Sequence, residues 1–308
     1  MGVDLGSTSA KAVVLDGSAA FLGASAIQMG AVSRAGMRQA IDDALGRASV
    51  APSQITATIS TGYGRRLVPG IGRTFTEITC HARGVAALCP GVRLIVDIGG
   101  QDSKVISVDE EGLVEDFAMN DRCASGTGRF FEVLARAIEC EVDELADLAM
   151  SGDKNLEVSS MCATFAETEI VSLLASGCER TDIAASVHRA VSARTLGLIA
   201  QVGKKTPVVM TGGVAKNAAA VHFLSSALGV RVDVPPDPQI TGAYGAALLA
   251  LETRGTVASS PDVELSLTGT SAHSCGDCTG SIELHMPTYQ RHNAAAQPAE
   301  QTAATPNT

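Results

Sequence analysis

No apolar run in this 308-residue chain approaches the length that spans a bilayer, and the N-terminus carries neither the basic segment nor the apolar stretch of a secretory signal. Those absences exclude an integral membrane protein and point to the cytoplasm. Positive charge is scarce as well: 23 Lys and Arg against 33 Asp and Glu give a net charge of −10, with no basic cluster. Such a balance argues against nucleic acid or an anionic membrane as a partner and leaves small molecules and proteins. Neither G-x-G-x-x-G after the first strand-like run nor G-x-x-x-x-G-K-[ST] occurs, which excludes Rossmann and P-loop nucleotide sites. Aromatic residues are few, with no Trp, 3 Tyr and 7 Phe, and no function follows from that.

What is present is enough apolar material, 45% of the residues, to build two domains or one bilobal fold. In a reducing compartment the 8 cysteines read as structural thiols, metal or cluster ligands, or redox groups rather than disulfides. Short strand-like runs alternate with longer helical patterns, and glycine-rich turns fall at the junctions, which is the pattern of an α/β fold. Residues 2–16, GVDLGSTSAKAVVLD, read as strand, polar turn and strand; residues 94–108, LIVDIGGQDSKVISV, repeat that arrangement. A duplicated hairpin predicts two similar lobes presenting polar turns to a shared cleft. The expected division is a first lobe over 1–91 completed by a helix at 242–254, a second lobe over 92–241, and a disordered tail over 255–308.

In DLGSTSAK, Asp4 ends a strand before a turn whose amides, freed by Gly6, Ser7 and Thr8, can point at phosphate oxygens, with Lys11 adding positive charge. DIGGQDSK repeats the parts: Asp97, then Gly99, Gly100, Gln101 and Ser103, then Lys104. A third turn, TGGVAKN, brings Gly212 and Gly213 close beneath a nucleoside, with Lys216 and Asn217 beside it. One D-x-G at a strand end is more often an ordinary β-turn than a phosphate site. Three such turns in this order resemble the two phosphate turns and the adenosine turn of the sugar kinase/Hsp70/actin superfold. That likeness implies ATP with Mg²⁺, Asp4 and Asp97 serving metal and water. It also puts GTGRF (126–130, with Gly126) and GAYGAAL (242–248) at the two connections between lobes.

Cys123 and Cys162 each stand just ahead of a helical pattern, where the helix dipole favours a thiolate. Two thiols are half of a Cys₄ set, so a [4Fe–4S] cluster needs two chains around a shared axis. By residue pattern alone, two buried core cysteines are the commoner reading. The surrounding words EITCHARG, MNDRCASGTGRFFEVLA, SSMCATFAETE, VVMTGGVAKN and PPDPQITGAYGAALLA closely resemble the ATPase family of 2-hydroxyacyl-CoA dehydratase activators and benzoyl-CoA reductase ATP-binding subunits. The likeness covers about residues 1–252. It implies that Cys123 and Cys162 ligate one [4Fe–4S] cluster between two protomers, in a homodimer or with a paralogous subunit. ATP turnover would then drive electrons from a ferredoxin or flavodoxin into a CoA-thioester dehydratase or reductase. The alternatives are a small-molecule kinase of the same superfold without a cluster, and an actin-like or chaperone-like switch. Cys80, Cys89, Cys140 and Cys178 read as structural thiols, His81 as a structural hydrogen-bonder, and the tail's His273, Cys275, Cys278 and His285 as matching no common zinc module. The first strand is shorter than family members carry, which leaves the start at Met1 open.

Overall fold

The computed structural model describes residues 1–68, 73–121, 123–158 and 163–254, all within the compact unit Met1–Leu265. His273, Cys275, Cys278 and His285 of the tail lie outside the described residues, as does Cys162.

Two five-stranded mixed sheets form the frame. The first contains β1 (Gly2–Leu5), β2 (Ser9–Leu15), β3 (Phe21–Gln28), β4 (Ile59–Thr61) and β5 (Arg73–Thr74), with α1 (Arg34–Ala48) between β3 and β4. A helix α2 (Glu77–Leu88) leads to the second sheet, which opens with β6 (Leu94–Ile98), β7 (Ser103–Val108) and β8 (Val114–Asn120). Then come α3 (Gly128–Ala137), α4 (Leu145–Met150), α5 (Ala163–Ala175) and α6 (Arg180–Val202). The second sheet is completed by β9 (Val208–Thr211), α7 (Ala218–Leu228) and β10 (Val232–Asp233), after which α8 (Thr241–Glu252) returns to the first sheet. Strand orders are β3-β2-β1-β4-β5 and β10-β9-β6-β7-β8.

The repeat seen in the sequence is a repeat of register. Asp4 pairs with Lys11 across β1 and β2, and Asp97 pairs with Lys104 across β6 and β7. Each hairpin continues into a third antiparallel strand, and the register shifts at matching places, between Val14 and Leu15 and between Ser107 and Val108.

Alternation along the strands decides where the carboxylates point. Val3 and Leu5 pack on α1, so Gly2 and Asp4 turn to the opposite face, where α8 lies against Gly2. Leu94, Val96 and Ile98 join the core of α3, α6 and α7, whereas Ile95 packs with Ile78, Ala82 and Val85 of α2, which puts Asp97 on the α2 side. Both faces of β6 and β7 are therefore covered and every residue in them is buried, as the near-continuous apolar run of β6 requires.

The chain crosses between sheets on α2 and returns on α8. These helices meet at backbone contact: a Cβ on Gly245 would collide with the Cys80 carbonyl, and one on Gly84 with the Thr241 carbonyl. The first crossover is thus α2, not the segment 126–130, which follows β8, runs into the first turn of α3 and stays with the second sheet. A crossover helix and a peripheral helix share one periodicity, so only strand pairing tells them apart. No helix among the described residues is long and apolar enough to cross a membrane.

Candidate active site

Between the sheets lies a cleft of about 590 Å³. The first hairpin contributes Asp4, Gly6, Ser7, Thr8 and Lys11; the second contributes Asp97, Gly99, Gly100 and Lys104. Gly212, Gly213, Lys216 and Asn217 approach from the loop after β9. The hairpin turns abut, since a Cβ on Gly100 would strike the Thr8 side chain. Two predicted residues do not line the cleft. Gln101 is exposed at the tip of its turn, and Gly126 takes a left-handed φ of 81° beside the Arg194 side chain, while Gly128, two residues on, lines the cleft instead.

At the cleft floor Lys11 Nζ lies 3.1 Å from Asp4 Oδ2 and Lys104 Nζ lies 3.2 Å from Asp97 Oδ2. The two pairs look alike but differ in their neighbours. Lys104 is enclosed by Asp102 at 2.5 Å and Glu77 at 3.6 Å as well as Asp97. Burial pulls its ammonium down, but the three carboxylates outweigh that and hold it well above the ordinary lysine range. Burial raises the Asp97 carboxyl, yet His81, Lys104 and the Thr211 hydroxyl, which donates to Oδ1 at 2.8 Å, keep it far below the usual carboxylate range. Burial raises Glu77, with Lys104 opposing. Tyr63, also at the cleft, is pushed up to about 12 by burial and by Asp102 and Glu77.

At the floor Asp4, Asp97, Asp102 and Glu77 face Lys11 and Lys104, and this negative excess suits a divalent cation arriving with a polyphosphate. Glu77, Asp102 and Thr211 are not singled out by the sequence, which marks His81 only as a structural hydrogen-bonder. Asp102 stands inside the DIGGQDSK motif and Glu77 inside EITCHARG, so both were within quoted motifs, but their roles depend on the fold.

The third turn is built for close approach. Gly212 holds φ 86° and ψ 179°, a region reserved for glycine, and a Cβ there would collide with the Ile98 carbonyl. Asn217 caps α7 by accepting from the Ala220 amide at 3.0 Å, and its amide nitrogen meets buried His188 Nε2 at 3.0 Å. His188 Nδ1 is 2.7 Å from the Ala184 carbonyl, so it carries the proton and Nε2 accepts. Phe131, Val142, Ala146 and Val214 supply an apolar wall beside this turn.

Cys123 is half-buried in the segment between β8 and α3, where Asn120 Nδ2 donates to the Cys123 carbonyl at 2.8 Å and to the Ser125 carbonyl at 3.1 Å. The α3 N-terminus is not aimed at this thiol, contrary to the sequence expectation. Its first amides, Gly128 and Arg129, donate to the Gly99 and Gly100 carbonyls at 2.8 Å each, so the helix docks on the second hairpin turn. Helix α5 begins at Ala163, directly after position 162. Among the described residues no group of three or more His, Cys, Asp or Glu could hold a metal ion within one chain.

Residues 1–250 match the profile of the BadF/BadG/BcrA/BcrD ATPase family. The chain belongs to this family. It is 44% identical over 252 residues to the activator of lactoyl-CoA dehydratase from Anaerotignum propionicum, covering 82% of this chain and 97% of that one. Among solved structures, it resembles component A of (R)-2-hydroxyglutaryl-CoA dehydratase from Acidaminococcus fermentans, with a TM-score of 0.79 at 39% identity over 82% of this chain and 98% of the other. The activator of 2-hydroxyisocaproyl-CoA dehydratase from Clostridium difficile with bound ADPNP gives a TM-score of 0.79 at 37% identity, over 83% and 95%. The fold of this BadF/BadG/BcrA/BcrD family member is the two-lobed α/β fold of the sugar kinase/Hsp70/actin-like ATPases.

Proposed function

We propose that this chain is an ATP-hydrolysing iron–sulfur protein that passes low-potential electrons to a CoA-thioester dehydratase or reductase. The observation that carries the coupling is the docking of α3 on the Gly99–Gly100 turn, only five residues beyond Cys123. Family membership and a relative with bound ADPNP support the nucleotide.

The cleft fits ATP with Mg²⁺. Asp4 and Asp97 would hold the metal and its waters, the amides of both hairpin turns would take phosphate oxygens, and Lys11 would offset negative charge in the transition state. Enclosed by three carboxylates, Lys104 orients Asp97 and Asp102 rather than reaching phosphate. Gly212 and Gly213 leave room for the nucleoside against the apolar wall.

Cys123 and Cys162 supply two soft thiolate donors per chain, which fits half of a Cys₄ set completed by a second copy or a paralogous subunit. When bound, the cluster supplies a one-electron centre whose potential responds to hydrogen bonding and solvent exposure. The chain's own part is mechanical. Any shift of Gly99 or Gly100 pulls on the first turn of α3, and the Asn120 staple carries it to the Cys123 turn. Electrons would come from a ferredoxin or flavodoxin.

The test is anaerobic purification with an iron count and a visible spectrum. A brown protein with about four irons per dimer is expected. Cys123→Ser or Cys162→Ser should remove the colour, and Cys275→Ser should leave it. Full iron retention in Cys162→Ser would sink the assignment.

A further inference from the structure

Three side chains face the Asp97 carboxylate, and they differ in what carries them. Thr211 donates to Oδ1 from β9, and Lys104 reaches Oδ2 from β7. Both strands flank β6 in its own sheet, so these two contacts travel with Asp97 however the sheets are oriented. The third, His81, comes from the crossover helix α2, with Nε2 3.7 Å from Asp97 Oδ2. That is too long for a direct hydrogen bond but close for an electrostatic contact.

The other edge of the ring is held by the second crossover. Thr241 Oγ1, in the first turn of α8, is 3.1 Å from His81 Nδ1 and 3.4 Å from the Pro238 carbonyl. Thr241 Oγ1 and His81 Nδ1 are within hydrogen-bond distance, the direction set by the ring's tautomer, and Nε2 is the edge turned to the Asp97 carboxylate. His81 is buried, and the space around it has no slack. A Cβ on Gly242 of α8 would come within 3.0 Å of His81 Nε2 and 3.3 Å of Asp4 Oδ2. The imidazole therefore faces Asp97 while clamped by the helices that join the two sheets.

Resting on the assignment of Asp97 to the nucleotide phosphates and metal, we propose that His81 is a positioning residue that ties Asp97 to both crossovers, so that the angle between the lobes sets the carboxylate's orientation. Thr241 fixes the ring, and the ring's Nε2 edge faces Oδ2 at 3.7 Å as an electrostatic contact. Lys104 and Thr211 cannot perform this task because they share the sheet with Asp97. A displacement at the reacting centre of about 1 Å is enough to cost up to roughly 10²-fold in rate, so a contact of this kind has leverage out of proportion to its energy.

The experiment is steady-state ATP hydrolysis and nucleotide affinity, measured on the anaerobic protein for His81→Ala, His81→Gln, Thr241→Val and the His81→Ala/Thr241→Val pair, with Asp97→Asn alongside. His81→Ala should lower kcat by about 10- to 100-fold while the Kd for ATP changes by less than about 3-fold. The side-chain amide of His81→Gln, which offers an N–H toward Asp97, should recover part of kcat. Thr241→Val should cost less than His81→Ala and should add nothing in the His81→Ala background, because it acts through the ring. A native kcat in folded His81→Ala overturns the proposal, as do additive losses in the double variant. Should His81→Ala fail to fold, the shape-conserving Thr241→Val still decides: native kcat there sinks the proposal, and lost kcat with unchanged Kd supports it. Asp97→Asn keeps the two layers apart. If it hydrolyses ATP normally, the nucleotide site itself is misplaced; if it is inactive while the His81 and Thr241 variants are native, only the positioning role falls.

Discussion

Asp97→Asn removes one negative charge and almost no volume from the cleft floor. Asparagine can still offer an oxygen to the Thr211 hydroxyl, which donates to Oδ1 at 2.8 Å, but it withdraws charge from Lys104 and from the metal of a bound nucleotide. Stranding one member of a buried ion pair costs about 3–5 kcal/mol. Here Lys104 keeps Asp102 at 2.5 Å and Glu77 at 3.6 Å, so the stability loss should be smaller, about 1–2 kcal/mol. A chain of this size would then melt roughly 2–8 °C lower and remain folded at 25 °C. Hydrolysis should fall far more, by about 10²-fold, or about 2.7 kcal/mol of transition-state stabilisation. Phosphate release by the anaerobic protein with saturating Mg²⁺ and ATP gives the rate, and a thermal melt of the same sample gives the stability. A folded Asp97→Asn that releases phosphate at the native rate would refute the placement of the metal and water at this carboxylate.

Two further outcomes follow from local geometry. Gly212→Ala forces a side chain into a glycine-only conformation against the Ile98 carbonyl, at a cost of about 1–3 kcal/mol; ATP affinity by calorimetry should weaken by about tenfold or more, and unchanged affinity would remove this turn from the nucleoside. Burial holds His188 below the ordinary imidazole range, so the unfolded chain takes up a proton first and stability is lost as pH falls below about 6.5. His188→Gln should flatten the melting temperature between about pH 7 and pH 5 relative to the native chain, and an identical slope would show that His188 contributes nothing to it.

The duplicated hairpins are legible in the sequence because the parts recur in order: an Asp at a strand end, a short polar turn and a Lys beyond it. The pairing of Asp4 with Lys11 and of Asp97 with Lys104 is not, since the pattern marks Lys11 as positive charge for a phosphate and places Lys104 only beyond its turn. Their difference was not legible. Lys11 has one carboxylate partner and Lys104 three, because Glu77 and Asp102 reach the second site through α2 and through a tight turn. His81 and Thr241 lie 160 residues apart and meet only because α2 and α8 cross at Gly84 and Gly245. The α3 terminus was misjudged for a related reason. A helix start marks where unpaired amides are, not what they face, and those of Gly128 and Arg129 face Gly99 and Gly100. Within GTGRF it is Gly128, two residues beyond Gly126, that lines the cleft.

The central claim is that nucleotide state reaches the cysteines through α3, and the rate at which bathophenanthroline strips iron from the anaerobic protein tests it most directly. A coupling free energy of ~1–3 kcal/mol, usual for linked sites, would make the ADP and Mg²⁺–ATP rates differ by about 5- to 150-fold if opening is in equilibrium. We expect that difference in the native protein and its disappearance in Asp4→Asn. Equal stripping rates with ADP, with Mg²⁺–ATP and without nucleotide, in a protein that does hydrolyse ATP, would contradict the account.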